Sequence, residues 1–118
     1  MAVTTTGEPP AFYPGQYWKF LVHISKNGSS PDITSDVVTA TIKSPASESD
    51  AAADMQFNAD VATSGATGTA IFTRSSAQTG TLGAQVYHMD IWWYPSDDED
   101  YSLWQGNVKV KSRISDVP

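Results

Sequence analysis

The chain has no cysteine, which excludes disulfide cross-links and thiolate metal sites and is compatible with a reducing compartment. No apolar run approaches the roughly 20 residues that carry a helix across a bilayer, so no membrane association is expected. Residues 1–6 hold no basic segment followed by an apolar stretch, so no signal peptide is expected and synthesis would be in the cytoplasm. Positive charge is scarce, with 7 Lys and Arg against 13 Asp and Glu and a formal net charge of −6. Such a surface repels phosphate, which argues against nucleic acid as a partner. Long helix-forming stretches are missing as well.

What is present fits one folded domain. The 118 residues are 40% apolar and 17% charged, enough for a single core and too apolar for a disordered chain. Period-two alternation is strongest over residues 83–94, where Tyr87, Met89, Ile91 and Trp93 share one parity. Val86, His88, Asp90, Trp92 and Tyr94 take the other. The first set suits a core. The second mixes a carboxylate and an imidazole with an indole and a phenol, and marks either a second partly buried surface or a contact surface.

The remaining strands follow the same logic. Over residues 16–25, Trp18, Phe20, Val22 and Ile24 point inward, with Tyr17, Lys19, Leu21 and His23 opposite. Asn27-Gly28 signals a turn. Over residues 36–43, Val38, Ala40 and Ile42 face in, and over 54–61 Met55, Phe57, Ala59 and Val61 share a face. Residues 69–74 form a short strand, and Ser75-Ser76-Ala77-Gln78 carries the S-x-x-Q capping pattern of one helical turn near 76–82. In the last strand, 101–113, Trp104, Val108 and Val110 share a parity. Leu103, Asn107, Lys109, Lys111 and Arg113 lie opposite, and Gly106 marks a bulge. The prolines at 9, 10 and 14 make residues 1–15 an extended N-terminal arm, with the sandwich at 16–114 and a tail at 115–118; Phe12 and Tyr13 imply that the arm packs, either on its own domain or on a neighbouring subunit. Six or so turn-separated strands with almost no helix predict an all-β, antiparallel, immunoglobulin-like β-sandwich of about six to seven strands.

The order of motifs is similar to a known group. Pro31-Asp32-Ile33-Thr34 follows the first strand and Asn27-Gly28. Ser75-Ser76-Ala77-Gln78-Thr79 with Leu82-Gly83 leads into Tyr87-His88-Met89-Asp90-Ile91, and Trp104-Gln105-Gly106-Asn107-Val108-Lys109-Val110 closes the chain. This resembles the small immunoglobulin-like β-sandwich proteins of tailed-bacteriophage and prophage structural gene clusters, among them the N-terminal domain of phage baseplate upper proteins. Ser29-Ser30 before Pro31, Met89 in an aromatic's usual place and Gln85-Val86 before Tyr87 depart from the group's pattern. The resemblance implies a virion structural role without catalysis: a tail, neck or baseplate accessory or a capsid decoration protein, partnered by other virion proteins and by copies of itself. It carries over no catalytic residue.

Candidate sites read from the residues are few. Asp97, Asp98, Glu99 and Asp100 could offer oxygen ligands to Ca²⁺, but the spacing is wrong for an EF-hand and a solvated hairpin tip is the plainer reading. His23 and His88 could share a metal only if they faced each other on adjacent strands. No third ligand or partnered nucleophile can be named, so neither an enzyme nor a cofactor is expected. Trp92, Tyr94, Tyr17 and Trp18 could form an aromatic platform for sugar rings, a protein interface, or part of the chain's own packing. The expected interface comprises Phe12 and Tyr13 of the arm, Tyr17, His88, Trp92 and Tyr94, and the charged residues Asp97, Asp98, Lys109, Lys111 and Arg113. In that reading the basic stripe of one copy meets the acidic tip of the next. The alternative function is a carbohydrate- or cell-surface-binding module.

Overall fold

A computed structural model describes residues 3–7, 9–44, 54–95 and 99–111. Seven strands form two antiparallel sheets: β1 (Val3–Thr6), β2 (Trp18–Lys26), β3 (Val37–Lys43), β4 (Met55–Asn58), β5 (Thr69–Arg74), β6 (Gln85–Tyr94) and β7 (Tyr101–Val110). One sheet has the order β1-β2-β5 and the other β4-β3-β6-β7. The all-β sandwich expected from the alternation is therefore the fold. Its fourth strand pairs with β3 rather than with β5, unlike the constant-type immunoglobulin arrangement. A one-turn helix, α1 (Ser76–Thr79), hands β5 to β6. None of the described helices is long and apolar enough to cross a membrane.

The alternation dictates the core. Trp18, Phe20, Val22 and Ile24 of β2 are buried against Val38, Ala40 and Ile42 of β3 and Tyr87, Met89, Ile91 and Trp93 of β6. Toward the end of the sandwich where β2 begins, aromatic rings dominate: Phe12 stacks on Trp18 at 4.2 Å, Phe20 on Phe72 at 4.9 Å, and Phe57 meets Phe72 edge-on at 5.7 Å. Toward the other end Trp93 stacks on Tyr101 at 5.1 Å, with Lys26 Nζ 5.7 and 5.6 Å from the two rings. Such offset and edge contacts suit the aromatic quadrupole.

Of the two readings of the N-terminal arm, packing on the chain's own domain is the one seen, and the segment adds a strand to the sandwich. Val3–Thr6, rich in β-branched threonine, is an edge strand on β2, and Phe12 forms a parallel bridge with Val110 of β7. The backbone bonds run from Phe12 N to Lys109 O and from Lys111 N to Phe12 O. At 1% exposure Phe12 is core, not interface. Trp18, buried and bonded through its indole N–H to Pro10 O at 3.1 Å, leaves the aromatic platform for the same reason.

A second correction concerns β7. The register shifts at the pairs Ile91–Trp104 and Trp92–Ser102, so the extra residue is Leu103 and not Gly106. The bulge turns Leu103, expected outside, into the core. Gly106 serves a different end, because a Cβ there would lie 2.8 Å from Trp104 Cζ2. Its missing side chain makes room for the indole.

Two local expectations are seen as read. Asn27 and Gly28 both have positive φ, 54° and 81°, closing a two-residue turn with reciprocal Lys26–Ser29 backbone bonds. Ser75 caps α1: its Oγ accepts from Gln78 N at 3.2 Å, and Gln78 Oε1 accepts from Ser75 N at 2.8 Å. The buried Thr79 then ties α1 to the segment before β2, donating to Gln16 O at 2.7 Å and accepting from Gly15 N at 3.1 Å.

Candidate functional site

Both open sides of the sandwich are bridged. On one, Thr5 Oγ1 donates to Leu103 O at 3.0 Å and Phe12 pairs with Val110. On the other, Asp60 leaves the line of β4 and pairs with Ile71 of β5. Strand edges thus tied are poor templates for added strands, so contact chemistry falls to the sheet faces.

The outer face of the four-stranded sheet is the richer of the two. Its cross-strand pairs form rows: Val37–Tyr94, Thr39–Trp92–Ser102, Thr41–Asp90–Gln105 and Lys43–His88–Asn107. The first row is apolar, with Val37 45% and Tyr94 40% exposed. The half-buried Trp92 stands beside it, and its indole N–H donates to Asp90 Oδ2 at 3.1 Å. Val37 and Tyr94 are directly opposed, and Trp92 is two residues from Tyr94 on the same face of β6 and diagonal to Val37, so the three make one patch. The two polar rows below line a shallow depression of about 410 Å³, with the Met89–Gly106 pair between them.

The expected interface residues do not all meet. Tyr94 lies at the end of the sandwich where β2 finishes and β3 starts, whereas the 57% exposed Tyr17 precedes β2 at the opposite end and on the other sheet. Tyr13, also exposed, is at that far end, with Lys111 Nζ 5.4 Å from its ring. A single platform of Tyr17, Trp18, Trp92 and Tyr94 is therefore not formed. His88 is exposed in the polar depression. Lys109 and Lys111 are exposed at the foot of the β6–β7 hairpin, while Glu99 and Asp100 are exposed at its head. Asp97, Asp98 and Arg113 lie outside the described residues.

The histidines cannot share a metal. His23 is on β2 of the three-stranded sheet, where its ring nitrogens lie 3.3 Å from Thr69 Oγ1 and 3.1 Å from Ser30 Oγ. His88 is on the opposite face of the sandwich, on β6. Among the described residues no group of three His, Cys, Asp or Glu side chains is arranged to hold a metal ion.

Sequence reasoning missed Val37, Thr41, Gln105 and Asn107. Val37 shares parity with Thr39 and Thr41, a signal that was available. The other three join the depression only through cross-strand register, which a single strand does not record.

No protein-family profile matches the chain, and no curated protein does. Among solved structures it is similar to a polysaccharide deacetylase from Bacillus cereus, with TM-score 0.49 and 11% identity over 92% of this chain and 30% of that one. It is also similar to a lipoprotein from Bacteroides thetaiotaomicron, with TM-score 0.44 and 9% identity over 98% of this chain and 83% of that one. The chain spans under a third of the deacetylase, and likeness at this level carries no argument about activity.

Proposed function

We propose that this protein is a non-enzymatic structural component of a tailed-phage particle, a tail, neck or baseplate accessory or a capsid decoration protein. It docks on a neighbouring virion protein through the patch of Val37, Trp92 and Tyr94. The observation that carries the docking role is that patch: three neighbouring side chains, apolar or aromatic, on the outer face of the four-stranded sheet. Aromatic anchors on a pre-formed surface are the side chains that dominate protein–protein association. The phage setting rests on the motif resemblance, and Ile33 gives one of those motifs a physical role. It is fully buried, while Asp32 folds the loop by accepting from Thr34 N at 3.0 Å and Thr34 Oγ1 at 2.7 Å.

Copies of the chain are the second partner. Glu99 and Asp100 at the head of the β6–β7 hairpin and Lys109 and Lys111 at its foot are separated by the length of β7, about 30 Å at strand rise. Opposite charges at opposite ends favour head-to-tail contact between copies, and multiple copies on a symmetric particle turn weak contacts into firm attachment.

Mass spectrometry of purified particles tests the reading. The protein is expected in mature particles, and the Val37→Ser/Tyr94→Ser variant is expected to be folded but missing from them. Absence of the unmodified protein from particles rejects the proposal. Assembly insensitive both to salt and to Lys109→Glu with Lys111→Glu rejects the head-to-tail contact.

A further inference from the structure

The outer face of the three-stranded sheet carries chemistry that docking does not use. His23 on β2 and Thr69 on β5 are paired across the sheet, and the loop after the Asn27-Gly28 turn brings Ser30 within reach of the same ring. Nδ1 of His23 lies 3.3 Å from Thr69 Oγ1, and Nε2 lies 3.1 Å from Ser30 Oγ. We propose that Ser30 is a nucleophile that accepts a short acyl group from an activated ester. His23 is its base, and Thr69 is the positioning residue that orients the ring.

The two hydroxyls divide the roles of the ring nitrogens. A neutral imidazole has one donor and one acceptor. With the proton on Nδ1, the ring donates to Thr69 Oγ1 and Nε2 accepts from Ser30 Oγ, the relation of a nucleophile to an oriented base. The loop does not need this bond to keep its shape. Reciprocal Lys26–Ser29 backbone bonds close the turn, and Asp32 accepts from Thr34 N and Thr34 Oγ1. Ser30 is exposed, and its backbone N–H makes no hydrogen bond among the described residues. That amide is open to the carbonyl oxygen of an incoming ester, where negative charge develops.

In the step, Ser30 Oγ bonds to the carbonyl carbon while its proton passes to His23 Nε2. The bond from that carbon to the leaving oxygen then breaks, the oxygen keeps the electron pair, and His23 returns the proton to it. The products are an O-acyl serine and a free alcohol or phenol. A single amide donor for the oxyanion supports one slow acylation of the chain and not turnover, since each missing donor costs about 10²–10³ in rate.

The next row of the sheet selects the acyl group. Leu21 and Ile71 are directly paired beside His23 and Thr69, and Leu21 is 49% exposed. Alternate residues of a strand are about 7 Å apart, so an apolar tail of about six carbons spans the step between rows. Such a tail buries methylenes against Leu21 and Ile71, which an acetyl group is too short to do.

The test is incubation of the full chain with p-nitrophenyl hexanoate and, separately, p-nitrophenyl acetate, read by p-nitrophenolate release and by mass-spectrometric peptide mapping. Hexanoyl is expected on Ser30, about tenfold faster than acetyl, as burial of about two methylenes gives. His23→Gln should slow that labelling about a hundredfold, the low end of general-base contributions. Thr69→Val should slow it as well, and Thr69→Ser should restore it. Leu21→Ser should bring the hexanoyl rate down toward the acetyl rate. The variants should keep the circular dichroism of the parent. Label confined to lysines or the N-terminus, a Ser30 label indifferent to His23→Gln, or equal rates for the two esters would each overturn the assignment. Ser30, His23 and Thr69 stand on the side of the sandwich away from Val37, Trp92 and Tyr94, so failure here and failure of particle docking are separable.

Discussion

The indole N–H of Trp93 donates to Asp36 Oδ2 at 3.0 Å, joining the C-terminal end of β6 to the loop that enters β3. Trp93 is only 2% exposed, so its single polar atom needs a partner inside the fold, and Asp36 provides it. Asp36→Ala should lower stability by about 1.5–3 kcal/mol, the range for a hydrogen bond to a charged group. In a Trp93→Phe background the same change should cost much less. Urea unfolding of the four proteins of this double-mutant cycle measures the coupling, and additive losses would show that the bond contributes nothing specific.

Phe12 offers a test of the N-terminal segment. Stacked on Trp18 and bridged to β7, it belongs to the core despite lying among prolines. Phe12→Ala should cost about 3–5 kcal/mol, as for other buried aromatics. A loss below 1 kcal/mol in the same urea assay would mean that the segment is a loose arm after all.

Gly106 and Trp104 should be coupled through space. A Cβ at position 106 would lie 2.8 Å from Trp104 Cζ2 and 3.0 Å from Cη2, so the indole must swing away. Gly106→Ala should destabilise by about 1–3 kcal/mol, a typical overpacking cost, and alter the near-ultraviolet circular dichroism. Trp104→Leu should remove most of that penalty.

The α1 cap is small but isolated enough to measure. Ser75→Ala removes an exposed side chain whose main role is to accept from Gln78 N. It should cost about 1 kcal/mol in thermal or urea unfolding, while Ser76→Ala should be nearly neutral.

Acid should loosen the turn after β4. The Thr63 hydroxyl, then the Thr63 and Ala62 backbone N–H groups, hold the exposed Asp60 carboxyl below its ordinary value of 3.8. A carboxyl depressed in the folded state stabilises fully above its unfolded pKa, and that contribution fades as pH falls through the folded value. Asp60→Asn should therefore be less stable than the parent at pH 6, with the gap closing toward pH 2, as unfolding midpoints at several pH values would show. A gap independent of pH would assign the effect to shape rather than charge.

Much of the architecture was legible because burial on one face imposes a period of two. The inward sets of β2, β3 and β6, the Asn27-Gly28 turn and the Ser75–Gln78 cap are local patterns, written within a few consecutive residues. The outward placement of Trp92 and Tyr94 followed from the same parity. Other features depend on residues far apart in the chain. Whether Phe12 is tail or core depends on the distant Val110, and the flip of Leu103 depends on how β7 registers against β6.

The amino-acid order by itself determined which residues of each strand face inward, where the chain turns, and that the fold is all-β, because apolar periodicity and turn chemistry act over neighbouring positions. Only the tertiary structure decided that Tyr17 is remote from Tyr94, that the two histidines face opposite ways, and that Thr41, Asp90 and Gln105 stand in one row. Those outcomes depend on strand order and register, which arise when separate segments meet and bury their faces together.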